Sequence, residues 1–320
     1  GLRLIETGLP LDWTAESAPA VRQAARRIAV LARESAAEVV QVNGAALAAG
    51  SAFDMPVVAV QHSCLATWWA AVRGGPLPPG WQWNRELVRR GLDAVDALVA
   101  PSRAFADATR RAYDLPRLPI VVHNGRSARP KLKPATGRML SGVVTAGRLW
   151  DEGKNLACLD RAARMLDLPV FAAGPLAGPN GAGYDPQHLY LLGELAPDDL
   201  RDFLALRPIY AAPALYEPFG LSVLEAAQAG CALVLAEIPS FRELWADAAL
   251  FFPPDDHRAL AALLQELDRE PERRRRLGRR AHERAQIYNP HAMVEGMLAV
   301  YRSLLGAPAA EAAADVGTFA

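Results

Sequence analysis

Two carboxylates, Glu217 and Glu225, enclose the seven residues Pro218-Phe219-Gly220-Leu221-Ser222-Val223-Leu224. The apolar run ending in Tyr210-Ala211-Ala212-Pro213 predicts a strand that stops at Pro213. From Leu221 the residues favour a helix that continues to Ala229 and stops at Gly230. A strand, a short polar loop and a helix start leave free backbone N–H groups around Phe219, Gly220, Leu221, Ser222 and Val223. These amides lie at the positive end of a helix dipole, which makes an anion site. A phosphate would not sit beside two carboxylates without a further reason. Hydroxyl groups supply one, because each carboxylate oxygen accepts hydrogen bonds from a vicinal diol. Phosphate and diols together describe a sugar nucleotide. Gly220 is the loop position that most calls for unusual backbone angles.

A second constellation is Gly147-Arg148-Leu149-Trp150-Asp151-Glu152-Gly153-Lys154-Asn155. It follows the strand predicted at 143–146 and opens the helix predicted at 156–166, so it too is a strand-end loop. Departure of a nucleoside diphosphate leaves two developing negative charges, and cations held in a dry cleft stabilise them. Arginine grips two oxygens at once, and lysine acts as a point charge. Taken alone, Arg148 and Lys154 would read as surface cations at a helix start. Glu217 and Glu225 would likewise read as a capping glutamate and a solvated one.

The two segments also carry a resemblance. Glu217 to Ala226 resembles the E-x7-E motif of retaining glycosyltransferases of family 4, which have the GT-B fold, and Gly147-Arg148-Leu149 with Lys154 resembles that family's Gly-Arg-Leu…Lys segment. The resemblance implies an α/β architecture of two doubly wound parallel-sheet, Rossmann-like domains facing a cleft. It implies a retaining transfer of sugar from a nucleoside-diphosphate sugar to a carbohydrate, lipid or small-molecule acceptor, with no cofactor and no metal. Arg148 and Lys154 match the residues that bind the donor pyrophosphate. Glu217 matches the glutamate on the donor sugar hydroxyls, and Glu225 the one on the ribose. Gly147 belongs to the same donor loop, and Phe219, Gly220, Leu221 and Ser222 would supply backbone donors. His62 resembles the family histidine near the donor sugar at the cleft floor, with a purely structural role left open. Gly193-Glu194-Leu195 resembles the segment beside the base. Two positions depart from the pattern: Ser127 replaces the Asp of Asn-Gly-x-Asp, and Pro213-Ala214 stands where many members have Pro-Ser. A GT-B epimerase or phosphorylase, and a non-catalytic nucleotide-sugar-binding or interaction module, are the rival readings.

These loops need elements to hold them. At 320 residues the chain is long enough for two domains. Lys plus Arg equals Asp plus Glu at 35 each, so no global field draws the chain to nucleic acid or anionic lipid. Cys64, Cys158 and Cys231 are isolated and odd in number, which predicts buried thiols and a cytoplasmic setting. No apolar run approaches the roughly 20 residues of a membrane span, which leaves only peripheral contact with a membrane open.

Short apolar runs at 39–42, 57–60, 98–100 and 120–123 alternate with helical stretches and predict a first parallel sheet. Runs at 143–146, 170–173, 189–192, 209–212, 233–236 and 250–252 predict a second. Residues 1–13 read as a further strand and turn, and 63–84, with Trp68, Trp69, Trp81 and Trp83, as a loop beside the cleft whose indoles either stack on an acceptor or anchor the loop. The basic helix at 272–287 reads as a solvated face. The domains divide as 1–126, a linker at 127–137, and 138–289. A helix at 290–305 crosses back, and a small-residue tail at 306–320 is expected to be disordered. Family members usually open with a strand and a Gly-Gly loop that nothing here matches, so the first domain is expected to be incomplete at its start.

Overall fold

The computed structural model describes residues 3–50, 53–127, 139–179 and 181–306. Nearly all of the expected linker and tail lies outside the described residues.

The first sheet has four parallel strands in the order β1 (Val40–Val42), β2 (Val57–Val60), β3 (Ala97–Ala100) and β4 (Ile120–Val121). Helices α1 (Ala18–Glu34), α2 (Leu65–Val72), α3 (Gln82–Ala94) and α4 (Arg103–Tyr113) connect and cover it. The second sheet uses β5 (Val143–Ala146), β6 (Val170–Ala173), β7 (Tyr190–Gly193), β8 (Ile209–Ala212), β9 (Ala232–Ala236) and β10 (Ala249–Phe252). Its order is β10-β9-β8-β5-β6-β7, again parallel. Strands β5, β8 and β9 are buried at every position, so their sequences read as unbroken apolar runs. Helices α5 (Leu156–Ala163), α6 (Pro197–Ala205), α7 (Leu221–Ala229), α8 (Pro239–Trp245), α9 (His257–Arg269) and α10 (Pro271–Ala285) surround it.

Strand order reverses between β5 and β8. From β5 the chain proceeds to β6 and β7 on one side, then returns to place β8, β9 and β10 on the other. Loops leaving β5 and β8 therefore lead to opposite sides of the sheet, and a crevice forms at the carboxyl ends of the strands there. The two motif loops singled out in the sequence are those two loops.

Helix α11 (Pro290–Leu305) lies against the first sheet. Val300 is buried with Val58, Val60, Ala97 and Val99, and Met297, Tyr301 and Leu304 pack on the same cluster. Glycines permit the two chain crossings this requires. A Cβ on Gly125 would stand 2.2 Å from the carbonyl oxygen of Asn289, and one on Gly296 would stand 2.8 Å from Val122 Cγ1.

Three expectations fail. Residues 3–10 pair with no strand, and Leu4 is 79 % exposed; an apolar alternation without a neighbour to complete its hydrogen bonds forms no ladder. Residues 63–84 are not a plain loop, because Leu65–Val72 is helical and α3 starts at Gln82. In α10, Arg274 is buried rather than solvated, and it donates to the carbonyls of Leu140 (2.5 Å) and Arg207.

Across the cleft, α8 serves as a cap for α4. Glu243 accepts from the Arg103 amide at 2.8 Å and the Ala104 amide at 2.6 Å, with His123 Nε2 3.5 Å away. Burial pushes the Glu243 carboxyl up, but the His123 contact and the two amides outweigh it and hold it below its ordinary 4.5. A carboxylate favoured in the fold contributes stability above its unfolded pKa and loses it as pH falls through the lowered folded value. Glu243→Gln keeps one acceptor and loses the charge, at a cost of about 1 kcal/mol. Thermal denaturation should show this variant melting roughly 1–2 °C lower at pH 7, with the gap to wild type closing below pH 4.5; an equal gap at both ends of the range would exclude the charge as its source. Gly125→Ala, which drives a methyl into Asn289, should cost about 1–3 kcal/mol in urea denaturation.

Candidate donor-binding site

The loop after β8 begins at Pro213 and ends where α7 starts. Gly220 takes φ +91°, in the left-handed region, and a Cβ there would meet Phe241, Glu217 and Val223 at 3.2–3.3 Å. No side chain caps α7, and the turn's first internal bond runs from the Leu224 amide to Gly220 O at 3.0 Å. The amides of Leu221, Ser222 and Val223 precede it and point out of the helix start. Phe219 is buried and packs edge-on against Tyr288 at 5.5 Å, which leaves only its backbone to the loop surface.

The loop after β5 begins at Gly147, with φ +148°. Asp151 caps a single 3-10 turn, Glu152–Lys154, by accepting from the Gly153 amide at 2.9 Å. Asn155 follows in the left-handed region and opens α5, and its side-chain amide donates to Pro213 O at 3.0 Å and to Pro254 O at 2.9 Å. The amides of Leu215 and Tyr216 bond to Gly153 O at 2.9 and 3.2 Å, so the two motif loops are laced together.

That lacing brings Lys154 Nζ into an ion pair with Glu217. The side chains retain 22 % and 14 % exposure, so the pair is well withdrawn from water. Gly147, Lys154, Glu217 and Ser222 share the wall of one pocket, with Thr145, Pro213 and Tyr210 beside them. Arg148 lies outside that pocket, 60 % exposed, paired with Asp151 Oδ2 at 2.9 Å and lying over the Trp150 ring at 5.8 Å. Glu225 also lies outside it and meets Arg126 Nε at 2.6 Å. Leu221 is 40 % exposed at the helix start.

His62 lies at the exit of β2 and is exposed, and partial desolvation lowers its pKa. It does not line the pocket of Lys154 and Glu217. Two residues on, the Cys64 amide donates to the Tyr216 hydroxyl at 3.3 Å, and Thr67 Oγ1 stands 2.9 Å from the same oxygen. This strand exit therefore adjoins the residue just before Glu217.

Sequence reasoning passed over several residues that hold the site. Ser102, the N-cap of α4, accepts from the Phe105 amide at 3.2 Å and also donates to Pro218 O at 2.6 Å. Ser240 donates to Glu217 O at 2.5 Å. Trp68 Nε1 donates to Asp151 Oδ1 at 3.0 Å, and Arg73 pairs with Glu152 at 2.5 Å. The Asp-x-Gly spacing was the one local signal available for Asp151. The partners across the cleft have no sequence signature. The three cysteines are buried and free. Among the described residues no group of His, Cys, Asp or Glu could hold a metal ion, and no helix is long and apolar enough to cross a membrane.

Residues 3–128 match the model of Glycosyltransferase Family 4, and 185–284 that of Glycosyl transferases group 1. The chain is 34 % identical over 196 residues to the phosphatidyl-myo-inositol mannosyltransferase of Mycolicibacterium smegmatis, an alignment covering 54 % of this chain and 47 % of that one. It is 31 % identical over 312 residues to the D-inositol 3-phosphate glycosyltransferase of Kineococcus radiotolerans, covering 82 % of this chain and 69 % of the relative. It thus spans about half of the first relative's length and about two thirds of the second's. The solved structure of Anabaena HepE in complex with UDP-glucose superposes with a TM-score of 0.70 at 18 % identity, over 88 % of this chain and 82 % of that one, a likeness of fold. With both motif loops at the strand-order reversal of a two-sheet α/β fold, the chain belongs to the glycosyltransferases of family 4, group 1, and has the GT-B fold.

Proposed function

We propose that the chain transfers a sugar from a nucleoside-diphosphate sugar to an acceptor hydroxyl, with retention of configuration and without a metal ion. The observation that carries this reading is the juxtaposition of the uncapped first turn of α7, at Ser222 and Val223, with the Lys154–Glu217 pair in one pocket wall. A pyrophosphate on the α7 amides would lie within reach of Lys154, and a sugar attached to it within reach of Glu217. Lysine and carboxylate in contact suit a ligand whose charge and hydroxyls are joined at one phosphate ester. Arg148, exposed beside Asp151, would add a second cation as charge develops.

In the transfer, the bond from the anomeric carbon to the phosphate oxygen breaks while one to the acceptor oxygen forms on the same face. The departing phosphate takes the acceptor's proton, so no side chain needs to act as base. The family resemblance would set His62 near the sugar in this step, and the desolvation that lowers its pKa favours the neutral ring. Glu225 receives the ribose hydroxyls, sharing its carboxylate between them and Arg126. The names of the two relatives described above carry an inositol, which makes a polyol the first acceptor class to assay.

A thermal-shift panel of UDP-, GDP- and ADP-sugars without added metal tests the donor. A ligand at 100 times its dissociation constant stabilises by about 2.7 kcal/mol, which for this chain length raises Tm by about 4 °C. A shift with one base identifies the nucleotide; a flat panel with folded protein favours the non-catalytic reading. With that donor, Glu225→Ala should weaken affinity about tenfold or more, and Arg148→Ala should lower kcat by about a hundredfold while nucleoside diphosphate still binds. Unchanged affinity and turnover in both variants would sink the site assignment.

A further inference from the structure

Asp151 stands between the two cations of the donor loop and is the most buried acid in the loop. Its side chain is 9 % exposed, and its two oxygens are divided between different tasks. Oδ1 accepts from the Gly153 amide at 2.9 Å and from Trp68 Nε1 at 3.0 Å. Oδ2 accepts from Arg148 at 2.9 Å. The Gly153 bond caps the turn that ends in Lys154, so one carboxylate fixes the backbone beneath one cation and the guanidinium of the other.

The Trp68 bond comes from α2, on the opposite domain. Its approach requires residue 153 to lack a side chain, because a Cβ on Gly153 would lie 2.8 Å from Trp68 Nε1. Five residues further along the chain, Arg73 pairs with Glu152 at 2.5 Å, so two groups from α2 and its C-terminal end grip consecutive residues of the turn. Stability does not account for the Arg148–Asp151 contact. An arginine that keeps 60 % of its exposure gains little from an ion pair in water, and a buried carboxylate with two neutral donors is already held. Orientation remains as the role: a flexible arginine at the mouth of the site is held to one direction before any ligand arrives.

We propose that Asp151 is a positioning residue that aims Arg148, and that Trp68 ties this aim to the approach of the facing domain. The inference rests on the assignment of Arg148 to the donor pyrophosphate. It adds a residue pair, Asp151 and Trp68, through which closure of the cleft and readiness of the donor loop become one event.

Donor hydrolysis (transfer to water) by the full chain tests this without a known acceptor, using whichever of UDP-, GDP- or ADP-glucose the protein turns over. Asp151→Asn keeps the shape and the acceptor for Gly153 and Trp68 but turns an amide toward Arg148. It should lower kcat about tenfold, with Tm and nucleoside-diphosphate affinity close to wild type. Trp68→Phe, which removes the N–H together with the pyrrole ring that carries it, should lower kcat about threefold in the same pattern. The decisive measurement is the combination with Arg148→Ala: if Asp151 acts through Arg148, Asp151→Asn should have no further effect on kcat in that background. Equal losses in both backgrounds, or wild-type kcat for Asp151→Asn, would overturn the positioning role. Arg148→Ala with wild-type turnover would instead overturn the pyrophosphate assignment beneath it.

Discussion

The loop from Pro213 to Gly220 lies between two domains, where every backbone polar group without a partner would be costly. Its satisfaction comes almost entirely from residues distant in sequence. Asn155 donates to Pro213 O, Gly153 O accepts from Leu215 and Tyr216, Ser240 donates to Glu217 O and Ser102 donates to Pro218 O. Gly220 then turns in the left-handed region to start α7. With so many fixed points the loop has one conformation, and Glu217 is delivered to Lys154 as a consequence. The position of the site follows from hydrogen-bond accounting as much as from the sheet order that opens the crevice.

Charge is arranged on the same economy. Lys154 is paired with Glu217, Arg148 with Asp151 and Glu225 with Arg126. A cation left alone in a cleft half-withdrawn from water would be destabilised or would draw nearby groups out of place. Pairing keeps each one in position. The pair withdrawn furthest from water is Lys154–Glu217, and the most exposed cation is Arg148. That gradient distinguishes the inner contact, set before ligand arrives, from the outer one, which moves most easily.

Much of this was legible in the sequence for identifiable reasons. Strands buried on both faces, such as Val143–Ala146 and Ala232–Ala236, leave unbroken apolar runs, and Gly230 marks the end of α7 because only the left-handed region closes it there. The motif loops stood out because glycine, glutamate and cation spacings are local. Helix α2 was hidden by Gly74-Gly75-Pro76 and Pro78-Pro79-Gly80 behind it, which made the whole tryptophan stretch read as loop. Glu243 was illegible for a different reason: the helix it caps begins 140 residues earlier. Arg274 read as one of a solvated run, yet its guanidinium turns inward to two carbonyls. Helical spacing alone gives no reason for an arginine to do so.

The contacts named between the strand-end loops and the first domain are hydrogen bonds and ion pairs: Ser102 with Pro218, Thr67 and Cys64 with Tyr216, Trp68 with Asp151, Arg73 with Glu152, and Glu243 with the α4 amides. Each exchanges with water at a small net cost, on the order of 1 kcal/mol. The apolar contact of α11 with Val58, Val60 and Val99 is of another kind, because its opening exposes hydrocarbon to water. Tyr216 adds an apolar contact to the polar ones, packing against Phe105 in a cluster with Leu118 and Val121 of the first domain. An interface held largely by polar contacts is the form that permits relative motion between domains. In this chain it meets the two motif loops at the residues that hold Glu217 and at Asp151, the carboxylate partner of Arg148.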